Sequence, residues 1–117
     1  MRILIVEDSL KMRELLRAIL NDVAEITECS DGDEALAAFS LCQPDCVLMD
    51  VKMKRMNGIQ ATQTIKKSFP QARIIILTRY NDAEIQAAAR EAGATDYFVK
   101  DDLTALRRFL LNANQLM

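Results

Sequence analysis

Val47-Leu48-Met49-Asp50, an apolar run that ends abruptly in a carboxylate, is the stretch on which the reading of this chain turns. A strand buried on both faces reads as continuous Val, Ile, Leu and Met, and open α/β sheets place their sites at the carboxyl ends of parallel strands. Asp50 therefore stands where chemistry is expected. The same pattern recurs outward from it: Ile3-Leu4-Ile5-Val6 runs into Glu7 and Asp8, Ile74-Ile75-Ile76-Leu77 into Thr78, and Tyr97-Phe98-Val99 into Lys100. Glu7, Asp8, Asp50, Thr78 and Lys100 are expected to converge on one edge of a sheet.

The segments between these runs have helical periodicity. Glu7-Asp8-Ser9 offers an N-cap for a helix whose apolar side is Leu10, Met12, Leu15, Leu16, Ile19 and Leu20. Ala24 to Cys29 reads as a weaker strand whose Glu25 and Glu28 suit an edge. Asp31-Gly32-Asp33 then turns the chain into a helix from Glu34 to Cys42, with Ala35, Leu36, Phe39 and Leu41 as its apolar side. Gln43-Pro44 ends that helix and leads into a strand from Asp45 to Met49.

Val51 to Asn57 is too charged and irregular for a core element. Gly58 either takes a backbone conformation costly for other residues or permits a close approach, and a helix follows to Ser68. A strand from Arg73 to Leu77, a helix from Ala83 to Ala92 capped by Asn81-Asp82 and closed by Gly93, a strand from Thr95 to Val99 and a last helix to about Asn114 complete the chain. Strand starts roughly 22 residues apart match βαβ crossovers. Five strands alternating with five helices predict a parallel, doubly wound α/β sheet in one domain spanning residues 1–117.

Composition narrows the function. The 117 residues carry a net charge of −2, which argues against a surface that neutralises nucleic-acid phosphates. There is no histidine, and Cys29, Cys42 and Cys46 have no C-x-x-C spacing, which removes zinc sites and Cys-His or Ser-His-Asp catalysis. Three reduced thiols, no apolar run near the roughly 20 residues needed to span a bilayer and no signal peptide lead to the expectation of a cytoplasmic protein without membrane contact.

Three carboxylates brought together repel unless compensated, and a hard divalent cation such as Mg²⁺ is the obvious partner. That arrangement suits phosphoryl transfer onto a carboxylate, which needs in-line geometry and charge neutralisation rather than acid-base work. Asp50, at the end of a wholly apolar strand, is the expected nucleophile. Asp8 and Glu7 would hold the metal directly and through water, with Asp50 itself and the backbone carbonyl of Lys52 as further ligands. Thr78 would donate its hydroxyl to one phosphoryl oxygen and Lys100 would pair with another.

Taken together, Glu7-Asp8, Met49-Asp50 with Met53 and Gly58 at their offsets, Thr78, and Lys100 after Tyr97-Phe98-Val99 resemble the receiver domain of bacterial two-component response regulators. The Glu-Asp pair and Gly93-Ala94-Thr95-Asp96-Tyr97 look most like receivers that precede a helix-turn-helix DNA-binding domain. The resemblance implies the CheY-like, flavodoxin-like strand order 2-1-3-4-5. It also implies phosphotransfer from a sensor histidine kinase, Mg²⁺ dependence, self-catalysed loss of the phosphoryl group and transcription control through an output domain or target protein. It implies as well a switch in which Thr78 and Tyr97 move and the face of the fourth helix, fifth strand and fifth helix, with Tyr97 and Arg90, carries the output, often as a homodimer.

Departures from the family matter too. Lys54 and Asp101 stand where proline is usual: Lys54 leads to the expectation of a looser loop after Asp50, and Asp101 removes a cis peptide that the resemblance implies. Lys52, Arg79 and Tyr80 are bulky around the site, which predicts slow hydrolysis of an aspartyl phosphate. Lys52, Lys54 and Arg55 are either a solvated loop or a partner-binding patch. A flavin or nucleotide binder would need a glycine cradle after the first strand, and no glycine lies between Val6 and Lys11. An aspartyl-phosphate phosphatase would want a second aspartate at position 52. A pseudo-receiver that binds partners without phosphorylation is the competing reading, and it would be marked by loss of an acid, the threonine or the lysine, all of which are present.

Overall fold

The computed structural model describes residues 1–79 and 82–115; Tyr80, Asn81, Leu116 and Met117 lie outside the described residues, and with them the readings that rest on Tyr80 and Asn81. Strands β1 (Arg2–Val6), β2 (Glu25–Cys29), β3 (Cys46–Met49), β4 (Ile74–Thr78) and β5 (Asp96–Val99) form one sheet in the order β2-β1-β3-β4-β5. All four pairings are parallel. Helices α1 (Leu10–Leu20), α2 (Ala35–Cys42), α3 (Gly58–Ser68), α4 (Ala83–Ala92) and α5 (Leu103–Gln115) alternate with the strands.

The apolar runs are explained by what covers them. Leu4, Val6, Val47, Met49, Ile74 and Ile76 point to one face, against Phe39 of α2 and Ala61 and Ile65 of α3. Their neighbours Ile3, Ile5, Leu48, Ile75 and Leu77 point to the other, against Leu16 and Leu20 of α1 and Leu106 and Leu110 of α5. With a core on each face, the three central strands have no polar side to show. The edge strands β2 and β5 are only half-buried, as their Glu25, Glu28 and Asp96 require.

Local chemistry sets the helix ends. Ser9 Oγ accepts from Met12 N at the start of α1, and Asn57 and Gln60 form a reciprocal capping box at the start of α3. Asp82 caps α4, and Gly93 closes it at φ 107°, as its left-handed role demands. Gln43 ends α2 in the same left-handed region at φ 46°, a position where glycine is the usual choice. A short 3₁₀ turn, Gly32–Glu34, precedes α2.

Three leucines depart from the periodicity reading. Leu10 is 59%, Leu15 44% and Leu41 88% exposed. The buried stripe of α1 is Leu16 and Leu20 with Met12 and Ile19 beside them, and Leu15 lies off its flank while Leu10 occupies the uncovered first turn. On α2 the inward side is Ala35 and Phe39, with Cys42 one turn on, which turns Leu41 to solvent. Cys29, Cys42 and Cys46 are free thiols, and burial pushes Cys29 and Cys46 up to about 12, so they pack as small apolar groups. No helix among the described residues is long and apolar enough to cross a membrane.

Candidate functional site

The site is assembled by the sheet's own ladder, carried one residue past each strand. Glu7 N donates to Cys29 O at 3.1 Å, Asp50 N to Val6 O at 3.0 Å and Lys100 N to Thr78 O at 2.7 Å. The register of a parallel sheet thus delivers Glu7, Asp50 and Lys100 to one edge, where each side chain leaves the last buried turn of backbone. Asp8 follows Glu7 in the same turn. The carboxylates of Glu7, Asp8 and Asp50 each offer an oxygen, and these lie within 4.8 Å of one another.

Lys100 is the cation of this group. Its Nζ stands 2.6 Å from Glu7 Oε1 and 3.2 Å from Asp50 Oδ1, and all three side chains are nearly buried. Ser9 N donates to Glu7 Oε2 at 3.0 Å, and Val51 N donates to Asp50 Oδ1 at 2.9 Å. Arg13, which the sequence reading did not single out, donates from Nη1 to the Glu7 carbonyl at 2.7 Å and from Nε to Glu28 at 3.1 Å. Its position one turn into α1 gives no local signal of this contact, because the Glu28 that orients it comes from the neighbouring strand.

The electrostatics are unbalanced. Like charges at this separation repel by about 3 kcal/mol per pair at an effective dielectric near 20, and one ammonium cannot offset three carboxylates. Burial pushes the Asp50 carboxyl above its ordinary value, with Lys100 opposing that and Asp8 adding to it. Asp8 is raised as well, by desolvation first and then by Glu7 against it. Glu7, Asp8, Asp50 and Lys100, taken as a group, carry two negative charges in excess. A divalent cation would remove them, and a donor set of carboxylate oxygens with room for water is the kind that hard cations take. The cluster could therefore hold a metal ion.

A pocket of about 170 Å³ opens over the cluster, lined by Glu7, Asp8, Ser9, Asp50, Lys52, Arg79 and Lys100. Glu7, Asp8, Asp50, Lys52 and Lys100 are thus brought together as the sequence leads one to expect. Thr78 is not among the lining residues: it is fully buried as the last residue of β4, and the next residue, Arg79, is the one that reaches the pocket. Tyr97 sits apart, half-buried on β5, where it lines a separate cleft with Ala89 and Arg90 of α4. Burial also pushes its phenol up.

A wholly parallel sheet with helices on both faces and an acidic site at the carboxyl edge of its strands defines a flavodoxin-like α/β protein with a small pocket lined by charged residues. Comparison with known proteins narrows this. The family model described as the response regulator receiver domain matches residues 3–110, and the chain belongs to that family. It is 40% identical over 104 residues to the uncharacterized transcriptional regulatory protein YhcZ of Bacillus subtilis, covering 86% of this chain and 49% of that protein. It is 38% identical over 101 residues to the chemotaxis protein CheY of Thermotoga maritima, covering 85% of this chain and 84% of that one. Among solved structures it is similar to a CheX-CheY-BeF3-Mg²⁺ complex from Borrelia burgdorferi, with a TM-score of 0.85, 26% identity, and coverage of 93% of this chain and 86% of that one. The chain spans about half the length of YhcZ, 49% of it.

Proposed function

We propose that the chain is a phosphoacceptor in which Asp50 takes a phosphoryl group from the phosphohistidine of a sensor kinase, with residues 1–117 acting as one receiver domain. The observation that carries this reading is the pairing at Asp50: a nearly buried carboxylate with Lys100 at 3.2 Å and two further carboxylates within 4.8 Å, open to solvent through one small pocket. A carboxylate oxygen of Asp50 attacks phosphorus, the bond from phosphorus to the donor breaks, and the leaving group keeps its electron pair. Lys100 exchanges part of its pairing with Glu7 and Asp50 for a phosphoryl oxygen, which neutralises charge where it accumulates. Glu7, Asp8, Asp50 and the Lys52 carbonyl are the groups that would hold Mg²⁺, which when bound offsets negative charge on the phosphoryl oxygens.

Thr78 is fully buried and does not line the pocket, so it would have to move to donate its hydroxyl to the phosphoryl group. Such a displacement, together with rotation of Tyr97 in the α4-β5 cleft, would be the switch that carries the state to the face formed by α4, β5 and α5. Similarity to transcriptional regulatory proteins about twice its length supports an output in transcription; phosphorylation-driven pairing of copies through that face is part of the same proposal.

The test is intact mass after incubation with a small phosphodonor such as acetyl phosphate, with Mg²⁺ and with a chelator. One added phosphoryl group that requires the metal is the expected result. No addition under either condition would move the reading to a phosphorylation-independent binding module.

Arg79 and Lys52 line the pocket from separate loops, and there they would shield an Asp50 phosphate from an approaching water. Arg79→Ala is expected to shorten the half-life of the aspartyl phosphate about tenfold, equal to about 1.4 kcal/mol off the hydrolysis barrier. Decay of the phosphorylated mass after donor removal measures this; an unchanged or longer half-life would remove Arg79 from the shielding role.

A further inference from the structure

A second carboxylate, outside the acid cluster, governs the segment that follows Asp50. Asp31 lies at the end of the β2-α2 turn and is only 3% exposed. Its Oδ2 accepts from Arg55 N at 3.0 Å, and its Oδ1 accepts from Met56 N at 2.9 Å and from Asp33 N at 3.3 Å. The bond to Asp33 is ordinary capping of the 3₁₀ turn. The two shorter bonds are not local: they cross 24 and 25 residues to the loop after β3. Burial pushes the Asp31 carboxyl up, but the amides of Arg55, Met56 and Asp33 outweigh it and hold the group at about 2, so the carboxylate is charged.

Two further contacts join the same segments. Gly32 lies against the Met56 carbonyl so closely that a Cβ there would overlap the oxygen and sit 3.1 Å from its carbon. Arg55 Nε reaches back to Asp33 Oδ2 at 3.2 Å. The base of the loop is closed independently of Asp31, by Gly58 N donating to Val51 O at 2.8 Å across its two ends, and Val51 N donates to Asp50 Oδ1 at 2.9 Å. Lys52, Met53 and Lys54 run between the two anchors, and Lys52 forms a wall of the pocket. No proline stiffens this stretch, so its course is set by what holds its ends.

We infer that Asp31 is a positioning residue for the site: its carboxylate fixes the far end of the Val51–Asn57 segment and thereby sets where the Lys52 carbonyl and side chain stand relative to Asp50. This rests on the receiver reading of the Asp50 cluster. A plain cap would need one amide, whereas Asp31 commits both oxygens to the other loop. Removing a group that orients a ligand from behind lowers metal affinity by about 10- to 100-fold, which sets the size of the effect to look for.

The experiment compares Asp31→Asn with Asp45→Asn. The first is nearly isosteric and sets an NH₂ against one of the loop amides; the second removes a carboxylate that accepts from Arg2 N at 2.7 Å near the opposite end of the sheet. Hydrogen exchange at amides 52–56 is read by NMR in metal-free protein, and the Mg²⁺ dissociation constant by calorimetry. Asp31→Asn is expected to speed exchange across 52–56 and weaken Mg²⁺ about tenfold, while Asp45→Asn does neither. Gly32→Ala, which keeps the carboxylate but displaces the Met56 carbonyl, is expected to produce the same pair of changes. Unaltered Mg²⁺ affinity in Asp31→Asn, or equal weakening in both Asp→Asn variants, would overturn the positioning role. A wild-type protein with no measurable Mg²⁺ affinity would instead sink the metal reading of the acid cluster, and the positioning role with it.

Discussion

Asp50→Asn is expected to abolish phosphoryl uptake and, in the absence of metal, to raise the unfolding midpoint by about 4 °C, equal to about 1 kcal/mol. The two effects have separate causes. Loss of uptake follows because an amide cannot act as the nucleophile. The gain in stability follows from the charge balance. Burial disfavours the charged Asp50 most; Lys100 at 3.2 Å and the Val51 N–H favour it, and Asp8 disfavours it to a lesser degree.

The cost of burying the charge therefore exceeds what its partners return, which is why the carboxyl stands above its ordinary value. The sign matters. A structural aspartate that only capped a turn would lower stability when replaced. Thermal unfolding in chelator and in Mg²⁺, beside intact mass, gives the result: the variant should be the more stable protein without metal and gain less from Mg²⁺ than the wild type. A variant that unfolds earlier in chelator would contradict the electrostatic picture, and one that still takes up phosphoryl would relocate the nucleophile.

Stability rising while function is lost also explains which parts of this protein its sequence discloses. β1, β3 and β4 are legible because two cores strip them of polar positions, so Ile3 to Val6, Val47 to Met49 and Ile74 to Leu77 stand out without any partner being known. The abrupt change to Glu7, Asp50 and Lys100 is legible for the complementary reason: a group that stabilised the fold would be apolar there. What periodicity cannot report is contact between loops of different βα units. Asp31-Gly32 reads as a turn, and nothing nearby in sequence signals that its carboxylate crosses to Arg55 and Met56. Arg13 is hidden in the same way, since Glu28 orients it from another strand.

Leu41 misleads in the opposite direction. An isolated leucine on a short helix looks like core, but the inward side of α2 is already occupied by Ala35 and Phe39. Thr78 is a subtler case. The sequence places it at the right edge, but the strand continues through it, its side chain is fully buried, and Arg79 is the residue that lines the pocket. Its depth depends on how far β4 pairs with β5, through Thr78 opposite Val99, and that is a property of the partner strand.

Gly58→Ala decides between two effects of known size. In an exposed first helical turn, alanine should gain up to about 1 kcal/mol over glycine through helix propensity and a less flexible unfolded chain. Gly58 is buried at the first position of α3, and its φ is not in the left-handed region, so backbone conformation does not forbid a side chain. The obstacle is contact. A Cβ would overlap the Asp50 carbonyl oxygen, stand 2.8 Å from its carbonyl carbon and lie 2.9 Å from Met49 Cγ. Neither obstacle can yield freely. Asp50 is tied through its N–H to Val6 and through Oδ1 to Val51, and Met49 is fully buried.

Overpacking a rigid site costs about 1 to 3 kcal/mol, and the backbone that must move here is that of Asp50, the proposed nucleophile. The expected outcome is a net loss of about 2 kcal/mol by chemical denaturation, together with slower phosphoryl uptake at saturating donor and Mg²⁺. The second readout separates the two ways the strain can relax. If α3 shifts outward as a unit, stability falls and the uptake rate holds; if the Asp50 peptide shifts, both fall, because attack on phosphorus is sensitive to displacements of about 1 Å. Gly58 N donates to Val51 O at 2.8 Å and ties the start of α3 to the residue that follows Asp50, so α3 cannot move outward without drawing on the Asp50–Val51 peptide, and that is where the displacement should appear.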